Sequence, residues 1–350
     1  MEQAVYAFAI EGEPVACQAY GCGHINNTFK VETSGGHSYV LQEINTHVFQ
    51  KPVELMENVG AITAFLQEKT SDPRASLRFL PTEQGLYYHR DAQGRFWRCY
   101  EYVEGFCLEQ PESDADFYES AVAFGRFQEL LRDFPAHTLH ETIPEFHNTP
   151  HRYRALRKAV EADACGRASG VEREVEFLLK REEESGRLQK LRQSGELPLR
   201  VTHNDTKLNN VLLDPKTRRA LCVLDLDTVM PGLSLYDFGD SVRFGAATAA
   251  EDERDLSKMT LDLHRYEVYT RGFRAACPSL TKLETALLPV GAKTLTVELA
   301  VRFLTDYLQG DHYFKTALPD HNLIRARTQM KLAADMEKKW SAMQALTGAI

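Results

Sequence analysis

The chain has 350 residues, 43% of them apolar, with a formal net charge of −9; this is more than one average domain and enough for two modest cores. The acidic balance excludes a general nucleic-acid-binding or anionic-membrane surface, where a basic stripe is expected. The N-terminus lacks the basic and apolar regions of a signal peptide, no apolar run approaches a membrane span, and the seven cysteines form no C-x-x-C pair, so a cytoplasmic chain with reduced thiols is expected.

In chain order, Gly21 and Gly23 lead into His24 and Asn26 ahead of the first strand signal. Glycines let a backbone approach an anion with no Cβ in the way, and the amides of such a turn form an anion nest; a Gly-x-Gly turn is also an ordinary turn. Thr28 to Glu32 and His37 to Gln42 alternate around Thr33 to Gly36, a hairpin signature. From Pro52 to Lys69, the residues Leu55, Val59, Ile62 and Leu66 form one helical stripe, with Pro52 suited to the first turn. Strands are expected near Gly85 to His89 and Arg95 to Val103, giving a small sheet with one helix.

After Glu104 the pattern becomes helical, with Phe117, Ala121, Phe124, Gln128 and Leu131 on or near one stripe. Arg173 to Gln193 is dense in charge and reads as a solvated helix face. Long helices are expected over Leu283 to Leu308 and Asn322 to Leu346. The fold class that follows is α+β with two lobes: a sheet lobe over 1–103 with one helix, and a larger, mainly helical lobe over 104–350.

The most informative run is Val201 to Asn210, followed by Leu224 to Thr228. His203, Asp205 and Asn210 have the H-x-D-x-x-x-x-N spacing of a kinase catalytic loop. Phosphoryl transfer needs a carboxylate to orient an attacking hydroxyl and oxygen ligands to hold Mg²⁺ against nucleotide phosphates. Val211 to Leu213 and Ala220 to Leu224 read as a hairpin around the turn Asp214 to Arg219, which sets position 210 beside position 225. Asn210 and Asp225 are therefore the candidate metal ligands and Asp205 the candidate base. The bland alternative is a turn and a strand end with solvated carboxylates.

Asp237, Phe238 and Gly239 spell a metal-binding string of protein kinases, but too far from Asn210 for the hairpin geometry. Asp237 is instead expected to accept hydrogen bonds from the catalytic-loop backbone. Asp227 is open between a second metal ligand and a structural acceptor. The strand ending at Gln42 lacks the lysine that grips nucleotide phosphates in many kinases. Lys207 is expected to supply part of that charge, with Lys30 and Lys51 as competitors; Glu54 and Glu57 receive no role. The nucleotide side is assigned Gly21, Gly23, Thr28 and Gln42, with Glu101 and Val103 next to the segment 103–105 where a kinase hinge would lie.

With Gly21 to Thr28, Tyr39 to Asn45, Thr202 to Asn210 and Leu224 to Gly232 taken together, the chain resembles the N-acetylhexosamine 1-kinases. These belong to the aminoglycoside phosphotransferase-like group with a protein-kinase-like fold. The resemblance runs from Gly21 to the helix containing Arg302. It implies Mg²⁺- and ATP-dependent phosphorylation of the anomeric hydroxyl of N-acetylglucosamine or N-acetylgalactosamine. Asp205 then looks like the base, Asn210 and Asp225 like the Mg²⁺ ligands, and His24, Asn26, Asp205, Arg302 and Tyr313 like sugar contacts. Where relatives often carry an aspartate this chain has Asn26, which leaves the preference among hexosamines open. The competing readings are another alcohol kinase of the same fold, acting on choline, an aminoglycoside or homoserine, and a nucleotide-binding regulator without turnover. The expected partners are ATP and a small sugar; the sequence leaves the oligomeric state open.

Overall fold

The protein is described from a computed structural model that covers residues 2–21 and 25–349; Gly23 and His24, both assigned roles above, lie outside the described residues. The strands are β1 (Pro14–Ala19), β2 (Asn27–Thr33), β3 (Ser38–Ile44), β4 (His89–Arg90), β5 (Phe96–Glu101), β6 (Arg200–Thr202), β7 (Val211–Leu213), β8 (Ala220–Val223) and β9 (Met230–Gly232). The helices are α1 (Glu2–Val5), α2 (Pro52–Lys69), α3 (Asp114–Leu130), α4 (Thr149–Ala162), α5 (Glu172–Leu179) and α6 (Glu182–Ser185). They continue as α7 (Arg187–Gln193), α8 (Ser234–Gly245), α9 (Leu263–Ala276), α10 (Lys282–Gln309), α11 (His321–Lys338) and α12 (Trp340–Ala349). The chain folds as two compact units, one of residues 1–107, 130–144 and 210–231, the other of 108–129, 145–209 and 232–350. The α+β class expected from the sequence is the class observed.

The first unit holds an antiparallel sheet of five strands in the order β1-β2-β3-β5-β4. Val31, Leu41, Trp97 and Cys99 bury one face of it against Val5 and Phe8. The hairpin of β2 and β3 turns through Gly36, which adopts φ +80°, a left-handed conformation that a Cβ would penalise. The sequence reading does not contain β1. It is an edge strand, largely exposed, so it shows no apolar alternation to find. Of the strand expected near Gly85 only His89–Arg90 pairs, with Phe96 and Trp97.

On α2 the predicted stripe of Leu55, Val59, Ile62 and Leu66 is buried throughout. Asn58, buried on the same helix, donates to the carbonyls of His140 at 2.9 Å and Val229 at 3.2 Å. The hairpin of β7 and β8 belongs to this unit, and Gly105 packs so tightly on it that a Cβ would lie 2.5 Å from Leu212.

The second unit is helical and centred on α10. That helix starts at a capping box: Thr281 Oγ1 accepts from the Glu284 amide at 3.1 Å, and Glu284 Oε2 accepts from the Thr281 amide at 2.8 Å. Most of α10 is buried, its charged Glu298 and Asp306 included. It crosses α8 where Gly239 and Gly291 replace side chains with backbone: a Cβ on Gly239 would lie 2.5 Å from the Gly291 oxygen. Glu284 also receives a two-pronged hydrogen bond from Arg200 on β6, at 2.6 and 2.7 Å.

The region 173–193 is not one solvated helix. It breaks into α5, α6 and α7, and Leu178, Leu188 and Gln189 point inward. The helix expected over Asn322 to Leu346 is likewise two helices, α11 and α12, meeting at Lys339.

Candidate active site

In the second unit, β6 runs into the loop 203–209, and Asp237 on α8 fixes its shape. The carboxylate of Asp237 accepts from the backbone amides of His203 at 2.9 Å and Asn204 at 2.8 Å, and from the Gln128 side-chain amide at 2.7 Å. This is the role expected of Asp237 from the sequence. Asn204 adopts φ +65°, which turns the chain so that both amides face one carboxylate. The imidazole of His203 is fully buried, with Phe124 and Phe127 packed edge-on at 5.3 and 5.9 Å.

One helical turn along α8, Asp240 accepts from the Thr206 amide at 3.0 Å, while Thr206 Oγ1 donates to the Asp237 carbonyl at 2.7 Å. Asp240 is itself gripped by buried Arg243, whose Nη1 also reaches Glu251 at 2.6 Å. Burial alone would raise the Asp240 carboxyl, but Arg243 and Lys207 outweigh it and hold it below the usual range. The sequence reading passed over Asp240 and Arg243. Their spacing of three on a helix was the available signal.

Asp205 and Lys207 meet on this loop. Lys207 Nζ lies 3.0 Å from Asp205 Oδ1, with the two side chains 41% and 28% exposed, so the pair is accessible from solvent. Burial pulls the Lys207 ammonium down, but the carboxylates of Asp205 and Asp240 more than restore it and leave it raised. A lysine so placed stays cationic across the neutral range.

The first unit carries Asn210 and Asp225. The Leu224 amide donates to the Asn210 carbonyl at 2.8 Å, continuing the ladder in which Val211 pairs with Val223. Asp225 follows directly in the left-handed conformation, φ +55°, at the head of the tight turn Leu226–Thr228. Both supply hard oxygen donors, which suit Mg²⁺. Among the described residues no group of three or more His, Cys, Asp and Glu side chains is placed to hold a metal ion. A cation at Asn210 and Asp225 therefore needs phosphate oxygens or water to complete its shell, the usual arrangement for nucleotide-bound Mg²⁺.

Asp227 lies 2% exposed in the same turn. It accepts from Arg98 Nη1 on one oxygen and from Asn26 Nδ2 at 2.6 Å on the other. The Asn26 carbonyl oxygen in turn accepts from the Asn45 amide at 3.0 Å. Gln42 bridges Arg98 Nε, at 2.9 Å, and Thr28 Oγ1, at 3.0 Å. Among the competing lysines, Lys30 pairs with Glu32 at 3.0 Å beneath the Tyr102 ring, and Lys51 pairs with Glu54 at 2.9 Å. Glu57 pairs with His140 at 2.8 Å. Gly21 sits exposed at φ +78° before β2, and Glu101, at the end of β5, lies 3.4 Å from Arg78. Val103 follows two residues later, half-buried.

Also in the second unit, Arg302 on α10 donates to the Tyr313 hydroxyl at 3.3 Å, and its guanidinium lies 5.1 to 5.6 Å from the rings of Phe146, Tyr313 and Phe314. Asp306, one turn further along α10, accepts the backbone amides of His312, Tyr313 and Phe314 at 2.8 to 2.9 Å and so fixes this segment. Tyr313 remains 65% exposed. A cation among ring faces above an exposed phenol makes a surface that both stacks and hydrogen-bonds.

Solved structures that share this fold include the following three. An aminoglycoside phosphotransferase from Alicyclobacillus acidocaldarius aligns with 100% of this chain and 97% of its own, at 16% identity and a TM-score of 0.68. A microcompartment-associated aminopropanol kinase aligns over 98% and 97%, at 18% identity and a TM-score of 0.64. An amicoumacin kinase in complex with AMP-PNP, Ca²⁺ and Ami aligns over 96% and 92%, at 13% identity and a TM-score of 0.62. At the level of sequence family, residues 16–269 match the phosphotransferase enzyme family. That span holds β2, β3, the Asp205 loop, the β7–β8 hairpin and α8, and on it the chain belongs to the phosphotransferase enzyme family, with a protein-kinase-like fold.

Proposed function

We propose that the protein is a Mg²⁺- and ATP-dependent kinase that phosphorylates the anomeric hydroxyl of an N-acetylhexosamine, N-acetylglucosamine or N-acetylgalactosamine. The observation that carries the phosphotransferase half is the Asp205 loop, its backbone held by Asp237 and Asp240 so that the Asp205 carboxylate and the Lys207 ammonium stand together facing solvent. The sugar half rests on Arg302 and Tyr313, a planar donor and a phenol beside ring faces, which suit a neutral ligand rich in hydroxyls and carrying an amide. Arg302 brings positive charge to that surface, which disfavours a cationic substrate.

In this reading Asp205 orients the sugar hydroxyl and accepts its proton late, because a loose transition state asks little basicity of it. Lys207 neutralises charge on the phosphoryl oxygens in flight. Asn210 and Asp225 hold Mg²⁺, which when bound neutralises the nucleotide phosphates. Gly21, Gly23, Thr28, Gln42, Glu101 and Val103 belong to the nucleotide side, and His24 and Asn26 to the sugar side.

A second reading is an amino-alcohol kinase, because structures similar to this chain include an aminopropanol kinase and an ethanolamine kinase from Plasmodium vivax. The two separate in an ADP-release assay over N-acetylglucosamine, N-acetylgalactosamine, choline, ethanolamine, homoserine and an aminoglycoside. The sugar reading expects kcat/KM for an N-acetylhexosamine to exceed that for every amine by at least about a hundredfold, or about 2.7 kcal/mol. Preference for any amine would replace it with the second reading.

A further inference from the structure

The strand ending at Gln42 lacks the lysine that grips nucleotide phosphates in many kinases, where that lysine's partner is a helix glutamate. The first unit contains a different buried ion pair. Across β2, β3 and β5, Thr28 pairs with Gln42 and Gln42 with Arg98, so three side chains lie in one row. Hydrogen bonds run along it, from Arg98 Nε to Gln42 Oε1 at 2.9 Å and from Gln42 Nε2 to Thr28 Oγ1 at 3.0 Å. Arg98 Nη1 then leaves the sheet for Asp227, two residues after Asp225. Asp227 closes the circuit through Asn26, two residues before Thr28. Arg98 and Asp227 are each 2% exposed.

Burying two charges costs more solvation than their attraction commonly returns, so such a pair is poorly explained by stability alone. What the circuit does mechanically is join the strand leaving the Gly21 turn to the turn that presents Asp225. We propose that Arg98 is a positioning residue for the divalent metal: its forked grip on Asp227 and Gln42 holds the Asp225 turn and the Thr28 strand in one register. This rests on the metal-dependent reading of Asn210 and Asp225 given above.

The test is Mn²⁺ binding in the presence of AMP-PNP, followed by electron paramagnetic resonance, with thermal unfolding as the control. Arg98→Met alone leaves the Asp227 charge buried without a countercharge, with only the Asn26 amide, among the described residues, donating to it, and is expected to lower Tm sharply. The double variant Arg98→Met/Asp227→Asn removes both charges. It is expected to recover Tm to within about 3 °C of wild type, yet to bind Mn²⁺ at least tenfold more weakly. A double variant with wild-type Tm and Mn²⁺ affinity within twofold of wild type would make the pair purely structural and overturn the proposal. If the double variant does not fold, Arg98→Lys keeps the charge but not the fork. A threefold or larger loss of Mn²⁺ affinity then supports the proposal, and a smaller one overturns it. Wild-type protein that binds no Mn²⁺ with AMP-PNP would instead sink the underlying metal reading, a separate result.

Discussion

Asp237 shows how one side chain sets the chemistry of its neighbours without joining it. Its two oxygens take both backbone amides of His203 and Asn204 and the Gln128 amide, all out of contact with water. Asp237→Ala strands these donors. At roughly 1–3 kcal/mol for each buried donor left unsatisfied, a loss of at least about 3 kcal/mol in urea unfolding is expected; a loss under about 1 kcal/mol would mean the loop keeps its shape by other means. Asp237 was legible because its Asp-Phe-Gly string lies too far past Asn210 to share the hairpin's metal position, which left the carboxylate a backbone-acceptor role. Arg98 was not. A strand arginine ordinarily reads as exposed, and the partner that permits its burial lies 129 residues away. Asp227 was left between two roles for the same reason, and its partners Arg98 and Asn26 account for both of its oxygens.

At the scale of elements, sequence patterns were readable where burial followed a simple period. The α2 stripe and the α10 span were of this kind, because each packs one continuous face or its whole circumference. Edge strand β1 had no period to read. In α5 to α7 the density of Glu, Arg and Lys concealed single inward positions, Leu178 and Leu188, which anchor short helices without making a stripe. The α8–α10 crossing is the element contact on which the loop depends, since α8 carries Asp237 and Asp240. Gly239→Ala would bring a Cβ to 2.5 Å from the Gly291 oxygen. Backbone cannot swing aside as a side chain does, so overpacking of roughly 1–3 kcal/mol is expected. The check is the urea midpoint, together with faster hydrogen exchange at the His203 and Asn204 amides. Unchanged exchange at those amides would show that the crossing does not govern the loop.

For the molecule as a whole, acid stability follows from carboxylates held ionised by the fold. Burial alone would raise Asp91, but the Trp97 indole N–H, the Arg95 amide and the Arg95 guanidinium bring it from 3.8 down to about 2. The amides of Thr217 and Lys216 lead in bringing Asp214 to about 2. Burial would likewise raise Glu284 and Glu298, but Arg200 for the first and His147 for the second outweigh it and hold both below the ordinary glutamate range. For Asp91 and Asp214, folded values below the unfolded one mean that the stabilisation is complete above about pH 4 and is lost as pH falls through about 2. Urea midpoints are therefore expected to be level from pH 7 to 5 and to drop below about pH 4, with a shallower drop in Asp91→Asn. A midpoint that does not fall in acid would contradict this assignment. The α+β class was legible because strand signals crowd the first hundred residues and helical ones the remainder. The way segments 130–144 and 210–231 rejoin the first unit was not, since long-range pairing leaves no local trace.

The central claim is phosphoryl transfer to a sugar's anomeric oxygen with Asp205 as base. Phosphorus NMR of the protein with Mg²⁺, ATP and N-acetylglucosamine or N-acetylgalactosamine tests it most directly, run beside Asp205→Asn. A sugar 1-phosphate resonance is expected with the wild type, and its rate of appearance should fall by about 10²–10⁴ in the variant while ATP binding is kept. No sugar 1-phosphate from the wild type, or equal rates in the two proteins, would contradict the account.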